Sequence, residues 1–288
     1  MWLWSQILVA GGVLGSFYAL VALGFSLIFG VTRAFNLAHG EFIILSGYLS
    51  YFLWKLWHLP FYWTIPVCLV TMPGAAFLLQ QFLRRVRPPL EMNSLVATFG
   101  LALVLQNLML TLFSADYRLL RPDAFPLLTL AGGKLIITDK QFALLAFSLT
   151  ATILLHLLLR HTFVGKALRA TIQDREAAEL AGINVRRMGW LAFAFGGGLI
   201  GLAGPLYGQT MYLYPAGGVE ATFIAVTITI FAGVGRTRSL LLGGWLLGWG
   251  ETAAALGWGG SWKELVSALL LIMLLIIRPQ GLAMTRGQ

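Results

Sequence analysis

Four ionisable residues stand at or near the ends of long apolar segments, where burying a charge is costly: His39, Glu41, Glu220 and Glu251. Ionisable groups in such places are functional candidates by default. His39 and Glu41 could belong to a metal pair or a proton relay. A metal site needs three or four converging ligands, and neither a His-x-x-His pair nor a second acidic cluster lies near them. We therefore predict no metal site, and instead a polar cap in which Asn36 and His39 hydrogen-bond the backbone of an interrupted helix.

The sequence carries no recognisable catalytic constellation. An enzyme working within apolar segments would need converging groups, such as paired aspartates, H-E-x-x-H, or a serine with a histidine at depth, and none is present. His156 and His161 lie at the end of an apolar segment. The phosphate-binding loop G-x-x-x-x-G-K-[ST] is also absent. We expect no catalytic residue and no cofactor-binding residue in this chain, and any ATP on which it depends must be hydrolysed by another protein.

The composition indicates that much of the surface faces lipid. Hydrophobic residues make up 58% of the 288 residues and charged residues 11%, and the mean hydropathy is +0.81. A soluble domain carries about 25% charged residues. The net charge of +9 could suggest a nucleic-acid partner, but the basic residues cluster in short links between apolar segments. We therefore predict a membrane protein without a nucleic-acid partner.

A helix needs about 20 apolar residues to cross the hydrocarbon core of a bilayer. The segments of suitable length are Gln6–Gly30, Glu41–Trp57, Phe61–Leu83, Asn93–Phe113, Phe142–Leu159, Met188–Tyr212, Leu240–Gly257 and Glu264–Ile277. A shorter segment, Ala221–Val234, could be a half-helix. The predicted fold is all-α: a polytopic transmembrane helical bundle of about eight to ten spans, with residues 1–288 forming a single transmembrane domain.

Lysine and arginine are distributed unequally between the links that join these segments. Fourteen of the 20 lie in one set of links and six in the other. Because cytoplasmic links are enriched in these residues, the richer set, which includes residues 160–188, is predicted to be cytoplasmic. This alternation requires Ala221–Val234 to cross the membrane, and it gives nine spans, an external N-terminus and an internal C-terminus.

Two short polar interruptions, Asn36–Glu41 and Ala216–Glu220, separate apolar segments in the two halves of the chain. Under the predicted orientation they lie on opposite membrane faces, as an inverted repeat would place them. For Glu251 we favour a position at the rim or between packed helices over contact with a solute. The candidates for a translocation path or its gate are Asn36, His39, Gly40, Glu41, Glu220 and Glu251.

Small residues recur every four positions in several segments, so that they share one helix face. These sets are Gly11/Gly15/Ala19, Gly197/Gly201, Gly204/Gly208 and Gly244/Gly248. Such a face can line a pore or let two helix backbones approach closely. We favour the second interpretation and predict tight helix pairs.

The link 160–188 is too polar for lipid and carries the signals of a short helix. Asp174 can cap the N-terminus of this helix, with Glu176 in its first turn. Gly182 can take the left-handed position that ends it, and Asn184 is placed to cap the next helix. A rigid, capped helix is suited to dock onto a partner, although an ordinary solvated connector has the same composition.

Three strings carry a resemblance to a known family. Glu176-Ala177-Ala178 with Gly182 matches the E-A-A-x-x-x-G core of the coupling loop in ABC importer permeases. N-L-A-H-G-E-F at residues 36–42 and R-P-Q-G-L at residues 278–282 extend the match, as does G-G-x-x-x-G-x-x-E ending at Glu251. From about residue 10 to residue 282 the chain resembles the LivH-type branched-chain amino acid permease family.

The resemblance implies the permease subunit of an ATP-driven importer in the inner (cytoplasmic) membrane, for branched-chain or other apolar amino acids. It implies that residues 160–188 form a cytoplasmic coupling loop. The implied partners are two ABC ATP-binding subunits, which hold ATP and Mg²⁺, a second related permease subunit in a homo- or heterodimer, an extracytoplasmic solute-binding protein, and the lipid bilayer. The implied ATPase-coupling residues are Asp174, Arg175, Glu176, Ala177, Ala178 and Gly182.

One departure from the family pattern leaves alternatives open. The family's G-G-x-G-S turn reads Gly233-Val234-Gly235-Arg236-Thr237 here. A permease for urea, amides or other small solutes is therefore the nearest alternative. An ion-coupled secondary transporter or channel is the alternative from another class, and the coupling-type loop argues against it.

Overall fold

The computed structural model describes residues 2–120, 127–130 and 135–262, and six further positions between 265 and 276. The helices in this part of the chain are α1 (Trp2–Thr32), α2 (His39–Trp57), α3 (Phe61–Leu83), α4 (Leu90–Phe113), α5 (Asp139–His161), α6 (Phe163–Gln173), α7 (Arg175–Leu180), α8 (Val185–Thr210), α9 (Gly217–Ala232) and α10 (Thr237–Gly257). Between α4 and α5, strands β1 (Leu127–Leu130) and β2 (Leu135–Thr138) pair antiparallel. A short 3-10 turn, Gly260–Trp262, follows α10.

The predicted helical membrane bundle is confirmed, and the β-hairpin is an addition that the sequence analysis did not predict. Five described helices, α1, α3, α4, α5 and α8, are long and apolar enough to cross a membrane. The predicted segment Glu264–Ile277 lies outside the continuously described residues, so the count of eight to ten spans stays a prediction. Helix α9 has 16 residues, which makes it about 24 Å long. It is shorter than the roughly 30 Å hydrocarbon core and has the length of a half-helix.

Helices α1 and α8 form the centre of the bundle. The most apolar windows of both are 72% buried, whereas that of α4 is 17% buried and leaves most of its side chains outside the bundle. Gly24 of α1 lies against Gly196 of α8, and Phe17 packs on Tyr207 with ring centroids 6.0 Å apart. These two contacts show that α1 and α8 run antiparallel.

The four-residue glycine spacings produce tight helix pairs, as predicted. On α1, a Cβ at Gly11 or Gly15 would overlap the backbone of α10 at Trp249 or Trp245. A Cβ at Gly201 of α8 would overlap the backbone of α3 at Cys68. Because backbone meets backbone at these places, the glycines serve helix packing rather than lining an open pore.

The link 160–188 contains two helices where the sequence analysis predicted one. Thr162 caps α6 by accepting a hydrogen bond from Gly165 N at 2.9 Å. A Cβ at Gly165 would overlap the last turn of α5, and Leu168 is fully buried. Helix α6 therefore packs against the end of the bundle, while the shorter α7 projects beyond it.

Candidate functional site

The chain leaves α1 at Thr32 and turns back into the bundle before α2 begins. Arg33 has a left-handed backbone, with φ 57°. The non-helical residues that follow are held by two hydroxyl groups of α4, because Phe35 N donates to Ser94 Oγ at 2.8 Å and Leu37 N donates to Thr98 Oγ1 at 3.0 Å. Burial of this non-helical backbone is tolerated because its polar groups find these partners.

The predicted polar cap at this turn is confirmed. Asn36 is 1% exposed, and its Oδ1 accepts a hydrogen bond from Ala38 N at 3.1 Å. His39, also 1% exposed, donates from Nε2 to the carbonyl oxygen of Val21 at 3.1 Å. Val21 lies in the middle part of α1. Helix α2 therefore starts deep inside the bundle and not at its end.

The N-termini of α2 and α9 meet at this depth. Gly40 N donates to Thr222 Oγ1 at 2.8 Å, and Thr222 Oγ1 donates to Leu37 O at 3.1 Å. A Cβ at Gly40 would overlap the carbonyl group of Gly218. From this α2–α9 junction, α2 runs along α8 through Gly47, which faces Gly204, and α9 runs the opposite way.

The far end of α9 reaches the part of α1 near its C-terminus. Gly235 N, just beyond α9, donates to Ser26 Oγ at 2.9 Å. The two interruptions enter the bundle from opposite ends and fold inward until Gly40 and Gly218 touch, so they meet at depth rather than lying at the two membrane faces. The two helices nevertheless leave the junction antiparallel, and the inverted repeat stays a prediction.

Glu41 is the candidate whose surroundings are most unusual. It is fully buried in the first turn of α2, and neither carboxyl oxygen has a hydrogen-bond partner in the described structure. A Cβ at Gly218 would lie 2.5 Å from Glu41 Oε2, so the glycine at the start of α9 provides the space that the carboxyl group occupies. Helix N-termini carry partial positive charge, and at the α2–α9 junction this charge offsets part of the cost of burying a carboxyl group.

The other two candidate glutamates, Glu220 and Glu251, lie beside Tyr18 of α1. Glu251 of α10 is 3% exposed and accepts a hydrogen bond from Tyr18 Oη at 2.6 Å. It is therefore not a rim residue, and the predicted alternative, a position between packed helices, is confirmed. Glu220, in the first turn of α9, lines a small pocket of about 10 Å³ with Tyr18 and Tyr207.

The second interruption enters the bundle from the other end. Leu213 is fully buried and exchanges two backbone hydrogen bonds with Arg118, at 2.7 and 2.9 Å. Leu120 N donates to Gly208 O at 2.7 Å. The segment after α4 thus pairs with the segment after α8 and closes this end of the bundle in the described structure.

Sequence reasoning missed four residues of the site: Tyr18, Ser94, Thr98 and Thr222. Each places a hydroxyl group within an apolar segment. Ser94 and Thr98 are four residues apart and so share one face of α4. That spacing is a signal that could have marked α4 as the partner of a buried, non-helical segment.

Helix α7 has the ends that were predicted for it. Asp174 Oδ1 accepts a hydrogen bond from Ala177 N at 3.0 Å. At the other end Gly182 has φ +82°, Gly182 N donates to Glu179 O, and Ile183 N donates to Ala178 O, both at 3.0 Å. This pair of bonds is the Schellman arrangement. It satisfies the last carbonyl groups of a helix that has only six residues.

Almost all of α7 faces away from the bundle. Arg175, Glu176 and Ala177 are exposed, whereas Ala178 is 3% exposed and anchors the helix. Leu180 is 91% exposed. Helix α7 is thus a rigid, capped helix whose exposed surface includes one large apolar side chain.

No group of three His, Cys, Asp or Glu side chains that could hold a metal ion occurs among the residues that the structure describes.

Comparisons with known proteins agree over nearly the full chain. The family model described as "Branched-chain amino acid transport system / permease component" matches residues 7–277. The chain is 29% identical to the high-affinity branched-chain amino acid transport system permease protein LivH of Salmonella typhimurium, covering 94% of this chain and 92% of that protein. It is 28% identical to the corresponding protein BraD of Pseudomonas aeruginosa, covering 96% and 94%.

A solved structure shares the fold. In PsaBC from Streptococcus pneumoniae in complex with Fab, one chain matches with a TM-score of 0.55 at 12% identity, covering 96% of this chain and 92% of that one. The similarity in sequence is too low to carry more than the fold.

Proposed function

This chain belongs to the permease family of branched-chain amino acid transport systems, and on that premise we propose that it conducts branched-chain or other apolar amino acids through the cytoplasmic membrane. It is a multi-pass membrane protein with at least the five membrane-length helices of its described part. The proposed energy source is ATP hydrolysis in separate subunits of an ABC importer. The ATP-driven part of the proposal rests on the geometry and the exposure of α7.

Helix α7 supports a docking role because contacts within the permease fix its geometry, while most of its surface is exposed. The Asp174 cap and the left-handed Gly182 hold the helix ends, and Ala178 fixes it on the bundle. Leu180 is then free to enter a groove on an ATP-binding subunit. In this proposal the same subunit also contacts Arg175, Glu176 and Ala177. When that subunit moves, it turns α7 together with the adjoining start of α8.

The α2–α9 junction supports a role in translocation. Two helix N-termini converge there, and in membrane transporters such ends point at the carboxylate of an anionic or zwitterionic solute. Glu41 brings a carboxyl group that could receive the solute ammonium group. Since Glu41 is fully buried, the proposed path opens only when α2 and α9 separate. Gly40, with no side chain, lies where that separation begins.

The proposed assembly has further components. It contains two ATP-binding subunits, which supply ATP and Mg²⁺, a second related permease subunit, and a solute-binding protein on the external face. The exposed apolar side chains of α4 and α5, such as Val104 and Leu154 at 62% and 61% exposure, are proposed to face lipid.

The test is a reconstituted transporter carrying Gly182→Val and Glu176→Lys together. Valine disfavours the left-handed turn by roughly 1–2 kcal/mol, and a cation at a helix N-terminus reverses a contact worth roughly 0.3–1 kcal/mol. We expect an intact complex whose ATPase activity no longer responds to the loaded solute-binding protein. Normal solute-stimulated ATPase activity would remove the proposed role of α7.

A matched control is available in the same chain. Gly259 also has a left-handed backbone, with φ +105°, and like Gly182 it has no neighbour that a Cβ would meet. Asp139 is an acidic residue in the first turn of α5, at the opposite end of that helix from the link to α6 and α7. The pair Gly259→Val and Asp139→Lys repeats both chemical changes away from α7, and we expect normal coupling from it. Solute uptake by the permease alone, without ATP, would instead favour an ion-coupled transporter or channel.

A further inference from the structure

A cavity of about 630 Å³ lies at the end of the bundle that is predicted to be cytoplasmic, between α1, α5, α6 and the start of α10. This volume falls within the roughly 300–1,000 Å³ typical of small-ligand sites. The described residues that line it include five arginines and no acidic residue. The arginines are Arg33, Arg160, Arg169, Arg236 and Arg238. An anion bound in the cavity would reduce the repulsion between these cations.

Guanidinium groups bind phosphate oxygens with two parallel hydrogen bonds, which makes arginine the preferred residue for phosphate recognition. The cavity also presents hydroxyl donors, from Thr237 and Ser239. The chemistry of the cavity therefore fits a phosphate-bearing anion. Such an anion could come from a lipid headgroup or from solution.

The helices beside the cavity favour the lipid. His156 Nδ1 and Thr237 Oγ1 lie 2.5 Å apart and join the ends of α5 and α10. On α10, Leu242 and Leu246 follow Arg238 at four-residue spacing, and both are about half exposed, at 53% and 47%. One helix face thus carries an arginine at the membrane end and exposed apolar side chains deeper in the membrane.

Helix α5 repeats this arrangement. Leu157 and Ile153 precede Arg160 by three and seven residues, and they are 46% and 55% exposed. They occupy the same face of α5 as Arg160. Basic pockets between membrane helices on the cytoplasmic side bind anionic lipid headgroups, and here two apolar faces lead away from the pocket along the direction that acyl chains take.

We propose that this cavity, the arginine cavity, binds the phosphate of an anionic phospholipid of the inner leaflet, with the acyl chains lying along the exposed faces of α5 and α10. Arg160 and Arg238 hold the headgroup, one from each helix. The lipid then bridges α5 and α10 at the place where the His156–Thr237 contact already joins them.

The test uses the transporter complex purified in detergent and titrated with short-chain phosphatidylglycerol or with phosphatidylcholine of the same chain length. Native mass spectrometry counts the lipids that remain bound. We expect tighter binding of phosphatidylglycerol, and we expect Arg160→Gln with Arg238→Gln to weaken it about tenfold or more, because each arginine near an anionic headgroup contributes substantially to binding. Phosphatidylcholine binding should not change.

Two control variants keep the proposal falsifiable. Arg85→Gln with Arg87→Gln removes the same charge from exposed residues outside the cavity, and phosphatidylglycerol binding should survive it. Arg160→Lys with Arg238→Lys keeps the charge and should retain most of the selectivity for phosphatidylglycerol. This variant replaces the glutamine variant in the test if the latter fails to assemble. Equal binding of the two lipids by the unaltered complex, or equal loss in both glutamine variants, would overturn the proposal. Binding of glycerol phosphate as tight as that of the lipid would also overturn it, since the source would then be a soluble phosphate.

Discussion

The backbone of Gly40 lies against the carbonyl group of Gly218 with no room for a side chain between them. Two helices that start at the same depth and run in opposite directions are joined at this contact. A methyl group at Gly40 would meet backbone atoms, which cannot rotate away as a side chain can. The α2–α9 junction therefore depends on glycine at this position for steric reasons.

We expect Gly40→Ala to push α2 and α9 apart, to lower stability by roughly 1–3 kcal/mol as overpacking does, and to abolish solute uptake. The midpoint of thermal unfolding of the purified protein measures the first effect. Gly74→Ala is the control, because a Cβ at Gly74 in α3 meets no atom within 4 Å. That variant should be neutral or slightly more stable, and equal midpoints for the two variants would contradict the steric account.

Thr98→Val tests whether α4 holds the buried segment that follows α1. The change keeps the shape of the side chain but leaves Leu37 N without its acceptor and removes the hydroxyl group 3.0 Å from Phe35 O. An unsatisfied buried group costs about 1–3 kcal/mol, and the unfolding midpoint should fall accordingly. Thr111→Val is matched to it, because Thr111 Oγ1 bonds only to Asn107 O of its own helix. A loss of stability as large in the control would rule out a special role for Thr98.

Tyr18→Phe removes the hydroxyl group that donates to the buried Glu251 carboxyl group. We expect a loss of about 1–3 kcal/mol, whereas Tyr117→Phe should have almost no effect because Tyr117 is 69% exposed. A double-mutant cycle with Glu251→Leu, which removes the acceptor, measures the coupling between the two side chains. Additive effects of the two changes would show that this contact contributes nothing of its own.

Single cysteines test the predicted orientation, in a Cys68→Ala background. Leu180 is 91% exposed at the end of the bundle predicted to be cytoplasmic, and Tyr117 lies at the opposite end. An impermeant thiol reagent added to intact cells should label Tyr117→Cys and spare Leu180→Cys until the cells are permeabilised. Labelling of Leu180→Cys from outside would reverse the orientation. Ala178 is a poor choice for this experiment because it is 3% exposed.

The ends of α7 could be predicted from the sequence because they depend on nearby residues. Asp174 bonds to a residue three positions away, and Gly182 adopts a backbone that glycine tolerates better than other residues. The apolar segments likewise gave the positions of the membrane helices, since length and hydropathy are properties of the segment itself. Helix α6 was missed although its own residues carry a signal, because Thr162 caps its start and Ala167, Leu168 and Thr171 are buried on one face.

The depth of the junction could not be predicted because residues far away in the chain determine it. Leu37 is held by Thr98 and Thr222, which are 61 and 185 residues away in the chain. Hydroxyl groups in an apolar segment do not indicate which distant backbone they will meet. The sequence therefore identified Asn36, His39 and Glu41 as unusual without showing that α2 begins inside the bundle.

The pairing of α1 with α10 also constrains how the protein is made. Tyr18 and its partner Glu251 are separated by 233 residues, so the ribosome completes α1 long before α10 exists. At roughly 5–20 residues per second, α1 waits on the order of 10–50 s in the membrane with its glycine face and the hydroxyl group of Tyr18 uncovered. During that interval the insertion machinery or another helix must shield this face. A chain truncated before Thr237 lacks the partner for this face permanently, and it should therefore be a substrate for membrane quality-control proteases.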